Sequence, residues 1–263
     1  MDARLVGWAR AVKARQGANL PPLPQNRNLP PLRQNRNLPP LWLFTDPGRM
    51  PDLERVVAGL PVGLCGVVFR HDGVAGRSDL LRRIARLCRA RRIALVVAGS
   101  ERDVPAGAGR HLRAGRQLCG GRGGRSLRQP GAWLTSSAHG LADIVRARQA
   151  GADAIFLSPA FATESHPGAP GLGPIRWARL ARRAGLAVLA LGGVTGQTAR
   201  RLPTSARGAG AIGALLPETM SPVCHTVSHL PSHHDLADCE PHRGAAILRS
   251  GLADPARAAA TQS

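Results

Sequence analysis

From Leu41 onward the chain alternates short apolar runs with amphipathic stretches, and this alternation constrains the fold more than any other feature. Short apolar runs suit buried strands, whereas the intervening stretches have helical spacing. Strands that alternate with helices predict parallel βαβ units. The predicted strands are residues 41–45, 64–69, 93–98, 110–112, 133–136, 154–158, 187–191 and 211–216. Eight such units favour an α/β fold, a closed (β/α)8 TIM barrel over residues 41–216. An open doubly wound sheet is the alternative, and composition alone does not distinguish it from the closed barrel.

The amphipathic stretches between these strands predict the barrel's helices. In the stretch 78–91, Leu81 and Ile84 share one face with other apolar residues while arginines line the opposite face, and Ser78 is a reasonable N-cap. The predicted helices are residues 52–60, 78–91, 141–150, 174–184 and 195–202.

The sequence of residues 1–40 predicts a basic, Pro-rich arm that precedes the barrel. Residues 1–18 are a basic stretch compatible with a helix, and the motif NLPPL then begins at positions 19, 28 and 37. Proline lacks an amide hydrogen and disfavours helix at the preceding residue, so we expect the repeat to be disordered and polyproline-like. It is either the product of a short repeat expansion or a ligand for a proline-binding module.

Residues 217–263 predict a poorly ordered extension rich in histidine and proline, with a last barrel helix near residues 252–261 as one option. The extension holds five of the nine histidines together with Cys224 and Cys239. Their spacing matches none of the usual structural zinc patterns, so we predict no metal site there.

The formal charge of +20 raises the question of nucleic-acid binding, but its distribution does not favour that function. Arginines are spread along the chain, Lys13 is the one lysine, and no nucleic-acid-binding motif accompanies them. The chain has no apolar run long enough to span a membrane and no secretory signal, so we expect a cytoplasmic protein without membrane contact. Its five cysteines include no CxxC pair, which is typical of reduced thiols.

Candidate site residues follow from the strand order, because a TIM barrel has its active site at the C-terminal ends of the strands. Gly192 and Gly193 follow the seventh strand, where glycines allow the backbone to approach a phosphate closely. Thr163 and Ser165 belong to a hydroxyl-rich loop after the sixth strand that suits phosphate oxygens. His139 follows the fifth strand and could act as a general acid or base.

Several segments together resemble the thiamine phosphate synthase / thiazole tautomerase family. They are LWLFTDP at 41–47, LTSSAHGLADIVRARQAGADAIFLSPAFATESHPG at 134–168, GLGPIRW at 171–177 and AVLALGGVTGQTARRL at 187–202. The resemblance implies a (β/α)8 barrel. It also implies thiamine biosynthesis, in which the synthases join a pyrimidine pyrophosphate to a thiazole phosphate with the help of Mg²⁺.

The resemblance also assigns roles to individual residues. Gly192, Gly193, Thr163 and Ser165 would bind the thiazole phosphate. Ser137 would lie near the reacting pyrimidine and Arg70 would contact its pyrophosphate, while His166 stands in the substrate loop where the family has a lysine.

Departures from the family pattern fall on the metal and pyrophosphate residues. Asp72 stands where the family has a lysine, and Ala98 and Gly99 replace an asparagine and a magnesium-binding aspartate. No Asp or Glu occurs between the fourth strand and Asp143. We therefore predict no metal site, with Mg²⁺ needed only if synthase activity is retained. Tautomerase-type isomerase chemistry by His139 is favoured over synthase-type transfer. The alternative is an inactive phosphate-binding or interaction protein, and homo-oligomerisation remains open.

Overall fold

The computed structural model describes residues 1–17, 38–99, 104–114, 131–163, 168 and 170–217. The strands are β1 (Leu41–Phe44), β2 (Cys65–Phe69), β3 (Ala94–Ala98), β4 (Gly109–Leu112), β5 (Leu134–Ala138), β6 (Ala154–Leu157), β7 (Ala187–Ala190) and β8 (Gly208–Ala211). The α-helices are α1 (Ala3–Gly17), α2 (Leu53–Ala58), α3 (Arg77–Ala90), α4 (Leu141–Gln149) and α5 (Gly173–Ala184). Two 3₁₀ turns cover Ala199–Arg201 and Gly213–Leu215.

The eight strands form a closed parallel barrel in chain order, which confirms the predicted (β/α)8 fold. Each strand pairs with its neighbour in sequence, and β1 closes the barrel on β8 with Leu41 opposite Ala209. Helices α2, α3, α4 and α5 follow β1, β2, β5 and β6, as the alternation of apolar and amphipathic segments predicts.

Large aromatic side chains fill the inside of the barrel. Trp42 and Phe44 from β1 both meet Phe156 from β6 edge to face, with ring centroids 5.7 and 4.8 Å apart. Two glycines on the neighbouring strands make room for them. A Cβ on Gly66 would lie 2.6 Å from the Trp42 ring, and one on Gly210 would lie 2.6 Å from the Phe44 ring. The interior is therefore a packed core, and a ligand has to bind at the barrel mouth.

Helix α1 (Ala3–Gly17) agrees with the helix-compatible stretch 1–18, but it packs against the barrel, whereas the sequence predicted that it belongs to a separate arm. Leu5, Val6 and Ala9 are buried in the same hydrophobic cluster as the outer faces of the strands. The helix is also tied to the barrel at its C-terminal turn, where Gln16 Nε2 donates to the Arg207 carbonyl at 2.7 Å. Apolar residues at helical spacing therefore bury one face of this basic stretch. Most of the NLPPL repeat, from residue 18 to 37, lies outside the described residues.

Three further expectations needed correction. Strand β8 begins at Gly208, before the predicted 211–216, and residues 213–215 form a 3₁₀ turn instead. The predicted helix 195–202 is reduced to a 3₁₀ turn at Ala199–Arg201. Gly76, whose φ is +70°, occupies the N-cap position of α3 in place of Ser78. The predicted helix at 252–261 and the histidine-rich extension beyond Pro217 lie outside the described residues.

Within the described ranges, no helix has both the length and the apolar character needed to cross a membrane. Cys65 and Cys88 are buried free thiols, and burial raises the pKa of each to about 12. Both side chains therefore stay protonated and serve as small apolar core groups.

Candidate active site

The loops that follow β6 and β7 are joined by backbone hydrogen bonds, so they form one rigid edge of the barrel mouth. The Ala160 N–H donates to the Leu191 carbonyl at 2.7 Å, and the Phe161 N–H donates to the Gly192 carbonyl at 3.1 Å. The Thr198 hydroxyl donates to the Gly193 carbonyl at 2.8 Å and holds the loop from the other side.

Gly192 and Gly193 both have left-handed backbone angles, with φ of +88° and +64°. An added Cβ at Gly193 would overlap the Ala162 carbonyl oxygen, and one at Gly192 would lie 3.1 Å from Pro159 Cα. Both positions therefore require glycine for conformation and for space. Among the described residues, neither amide N–H has a hydrogen-bond partner. Two successive amides in such a turn form the kind of concave site that binds a phosphate.

His139 lies directly after β5 with an exposed imidazole. Its backbone N–H donates to Asp143 Oδ2 at 2.8 Å, which fixes the residue at the start of α4. Its Nδ1 lies 3.1 Å from the Ser158 carbonyl oxygen and 3.2 Å from Ser158 Oγ. If Nδ1 carries the proton and donates to the carbonyl, Nε2 has a free lone pair, as a general base requires.

Ser137 points into the barrel, where it meets a buried histidine that the sequence had not indicated as a site residue. Ser137 Oγ lies 2.8 Å from His111 Nε2, and His111 Nδ1 lies 2.9 Å from Thr135 Oγ1. Thr135 is fully buried, His111 is 4% exposed and Ser137 is half-buried. The three side chains form a hydrogen-bonded chain from the core to the mouth.

Aromatic rings enclose His111 on two sides. Its ring centroid lies 5.6 Å from that of Phe44 and 5.7 Å from that of Phe156. Burial, with a smaller contribution from the positive charge of Arg70, lowers the pKa of His111 to about 3. The ring is therefore neutral at physiological pH and carries a single N–H.

Arg70 follows β2 on the opposite part of the mouth. Its backbone N–H donates to Thr45 Oγ1 at 2.8 Å, and Thr45 Oγ1 also lies 2.9 Å from His71 Nδ1. The Arg70 guanidinium lies over the Phe44 ring, 5.9 Å from its centroid. Burial and the nearby Arg113 lower the pKa of Arg70, while Asp46 opposes that shift. The guanidinium stays protonated and contributes a partly desolvated positive charge.

Asp72 is held between two arginines beside Arg70. Its carboxylate forms an ion pair with Arg113 and lies 3.5 Å from Arg77 Nη2, which also donates to the Ala98 carbonyl at 2.8 Å. A Cβ at Gly99, whose φ is +95°, would overlap Asp72 Oδ1. The Asp72 carboxylate therefore fills the space into which a side chain at position 99 would project.

The described residues do not fit a magnesium site. They contain no group of three or more His, Cys, Asp or Glu side chains that could hold a metal ion. The space at Gly99 is taken by a carboxylate that two guanidinium groups already neutralise. A magnesium site needs several free oxygen ligands, and the described residues of the β2–β4 side do not supply them.

The structure gathers most of the site residues predicted from sequence around the mouth. Ser137 and His139 share β5, Ser158 links His139 to the β6–β7 edge that carries Gly192 and Gly193, and Arg70 lies on the β2 side. Thr163 is the last described residue before the gap at 164–167 in the β6 loop, and it is partly buried. Ser165 and His166 lie outside the described residues.

Sequence reasoning missed the residues that act through others. Thr135 and Ser158 lie within the resembling segment 134–168 but were given no role, Asp72 was noted only as a departure from the family pattern, and His111 and Arg113 lie outside the resembling segments. One sequence pattern could have indicated His111. Side chains alternate between the two faces of a strand, so His111 lies on the same face of β4 as Gly109, the face that points into the barrel.

A closed parallel barrel with glycine amides and polar side chains at the C-terminal ends of its strands defines a TIM-barrel protein. Residues 41–215 match the family model of thiamine monophosphate synthase. The chain belongs to this family.

Individual relatives agree with that membership. The chain is 30% identical over 161 residues to a thiamine-phosphate synthase from Thiobacillus denitrificans, a match that spans 58% of this chain and 75% of the relative. Among solved structures, it is similar to a thiamine phosphate pyrophosphorylase from Pyrococcus furiosus with a TM-score of 0.55 and 20% identity. That match covers 70% of this chain and 91% of the other, and it supports the fold alone.

Proposed function

We propose that this member of the thiamine phosphate synthase family binds a thiazole phosphate and catalyses a tautomerase-type proton transfer with His139 as general acid and base. The observation that carries the proposal is the state of the His139 ring. Its Nδ1 is engaged by Ser158, and its Nε2 has no hydrogen-bond partner among the described residues. An exposed Nε2 of fixed orientation at a strand end can take a proton from a ligand carbon and return it to another position.

The amides of Gly192 and Gly193 supply a complementary site for the phosphate. His139, Ser158 and Leu191 each follow directly after the last paired residue of three adjacent strands, β5, β6 and β7. Two strand spacings separate the histidine from the β7 loop, a distance of about 10 Å. A thiazole ring with a phosphoethyl arm is of suitable length to reach from the imidazole to the amides.

Synthase chemistry is less well supported because it needs a magnesium ion and a site for the pyrophosphate group of the pyrimidine substrate. Among its described residues, the β2–β4 side offers guanidinium groups, and the Asp72 carboxylate is already paired with Arg77 and Arg113. The same observation favours a second candidate, a catalytically inactive phosphate-binding protein of the same family, in which the arginines and glycines hold an anion and His139 performs no chemistry.

Calorimetry with thiazole phosphate, with and without Mg²⁺, followed by a tautomer-conversion assay, tests the proposal. We expect magnesium-independent binding and turnover. In His139→Ala, turnover should fall by about 100-fold or more while binding changes little. Arg179→Ala, an exposed change on α5, is the control and should retain both.

The outcomes separate the candidates. Binding without turnover in the wild-type protein would favour the inactive phosphate binder. Binding that needs Mg²⁺, together with product formation from the pyrimidine pyrophosphate, would refute the tautomerase proposal and establish a synthase. The absence of thiazole phosphate binding would contradict both proposals.

A further inference from the structure

The chain Thr135–His111–Ser137 connects a fully buried hydroxyl to a half-buried hydroxyl at the mouth. Both of its contacts are short, 2.9 Å from Thr135 Oγ1 to Nδ1 and 2.8 Å from Nε2 to Ser137 Oγ. All three side chains lie on the inward faces of adjacent strands, β4 and β5. The order of the donors along this chain determines which way the Ser137 hydroxyl points.

Burial of Thr135 decides that order. Its hydroxyl hydrogen needs an acceptor, and among the described residues only His111 Nδ1 is within hydrogen-bond distance of its Oγ1. If Nδ1 carried the ring proton, the Thr135 hydrogen would be buried without an acceptor, at a cost that is large on the scale of one hydrogen bond. The favoured arrangement has Thr135 donating to Nδ1 and the ring proton on Nε2.

We propose that Thr135 and His111 hold the Ser137 hydroxyl as a hydrogen-bond donor toward the ligand. With Nε2–H donating to Ser137 Oγ, the hydroxyl's own hydrogen is left to point into the mouth. Ser137 then selects ligands that present a hydrogen-bond acceptor at this point, such as a ring nitrogen or a carboxylate oxygen. His111 is a positioning residue, because it acts through Ser137 and does not itself reach the mouth.

The neutral state of His111 supports this arrangement. Burial and Arg70 lower its pKa to about 3, so the ring keeps one N–H and one bare nitrogen across the physiological pH range. A doubly protonated ring would donate at both nitrogens and leave the Thr135 hydroxyl hydrogen without its acceptor. The aromatic rings of Phe44 and Phe156 also restrict the imidazole to one orientation.

A ligand-free measurement tests the order of donors directly. Nitrogen-15 NMR of histidine-labelled protein separates the two neutral tautomers, and the His111 signal is identified by its loss in His111→Gln. We expect the Nε2–H tautomer in the wild type and in Thr135→Ser, and a shift toward the Nδ1–H tautomer in Thr135→Val. An Nδ1–H tautomer in the wild-type protein would overturn the proposal.

A binding measurement tests the consequence for the ligand and rests on the proposed function for its choice of thiazole phosphate. Ser137→Ala and His111→Leu should each weaken thiazole phosphate binding by about tenfold, the value of one hydrogen bond. His111→Gln should largely rescue it, because an amide can accept from Thr135 and donate to Ser137. Inorganic phosphate, which needs only the glycine amides, should bind all variants equally.

The two measurements can refute the proposed function and the positioning role independently. If wild-type protein does not bind thiazole phosphate, the proposed function is wrong, and the tautomer of His111 still decides the positioning role. If Ser137→Ala binds thiazole phosphate as tightly as the wild type does, the donor role is wrong. Ser137→Ala removes a single half-buried hydroxyl, so this arm does not depend on the folding of the His111 variants.

Discussion

The two sides of the barrel mouth present different chemistry. Among the described residues, the β5–β7 side offers a ligand directional hydrogen-bonding groups: the Ser137 hydroxyl, the His139 ring and the amides of Gly192 and Gly193. The described part of the β2–β4 side presents guanidinium groups arranged around the Asp72 carboxylate.

This difference indicates how each side would recognise a ligand. Directed hydrogen bonds on the β5–β7 side can fix the position of a ring and of a phosphate, which proton transfer requires. A cluster of guanidinium groups attracts anions with little dependence on their exact position, and its effect is screened by salt. The family resemblance is also closest on the β5–β7 side, whereas the departures from the family pattern lie on the β2–β4 side.

Disruption of the turn after β7 should reduce stability and phosphate binding more than a change to any side chain at the barrel mouth. Gly193→Ala adds a Cβ that overlaps the Ala162 carbonyl oxygen at a φ of +64°, so the loop has to move. We expect a loss of at least about 2 kcal/mol in the free energy of unfolding, from the left-handed backbone and the clash together. Phosphate binding measured by calorimetry should be abolished.

The same substitution at Gly7 provides the control. Gly7 lies within helix α1, and nothing is within 4 Å of the position of its added Cβ. Gly7→Ala should stabilise the protein by up to about 1 kcal/mol and leave phosphate binding unchanged. Normal phosphate binding by Gly193→Ala would break the proposed contrast, because the anion would then depend on the β2–β4 arginines.

Acid should destabilise the protein through His111, which lies where the two sides meet. Its folded-state pKa of about 3 is below the unfolded value near 6.5, so the unfolded chain binds more protons between those pH values. The stability contribution is therefore complete above about pH 6.5 and is lost as the pH falls toward 3. At pH 5 the loss from this one group is about 2 kcal/mol.

Urea unfolding of wild-type protein and of His111→Gln at pH 7 and pH 5 measures this loss. The wild type should lose about 2 kcal/mol more than the variant between the two pH values. The groups that face His111 are Thr135, Ser137, the two phenylalanine rings and the charge of Arg70. Because the other histidines are present in both proteins, their contributions cancel in the difference. Equal losses in the two proteins would show that His111 is not desolvated as the structure indicates.

Much of the fold could be predicted from sequence because it depends on local patterns. Apolar runs identify β1, β2, β3, β6 and β7 to within a few residues, since each of these strands buries one face against helices and the other inside the barrel. Strand β8 was misplaced because its sequence, Gly208-Ala209-Gly210-Ala211, has no apolar run. Its glycines are needed where Pro40 and Phe44 approach closely, and that constraint exists only in the folded barrel.

The candidate site divides in the same way. Gly192, Gly193 and His139 could be proposed because each lies just beyond a strand end, where barrels bind their ligands, whereas Ser137 was proposed through the family resemblance. Contacts between distant segments could not be found. Asp72 and Arg113 are 41 residues apart, and their pairing depends on the closure of the barrel between β2 and β4.

Charge changes on the β2–β4 side should have the smallest effects, and their signs test the contrast most sharply. Arg113→Gln removes a positive charge that is largely exposed, so affinity for inorganic diphosphate should fall by no more than about fivefold. Asp72→Asn should raise that affinity by a similar factor, because it releases two guanidinium groups from their carboxylate. Both changes in diphosphate affinity should become smaller at high salt.

If the anion is held by arginine alone, Mg²⁺ should not strengthen diphosphate binding in any of these proteins, and calorimetry with and without the metal checks this. If diphosphate binding depends on Mg²⁺ and Asp72→Asn abolishes it, Asp72 is a metal ligand. The β2–β4 side would then be distinguished from the rest of the mouth by a metal site and not by its arginines.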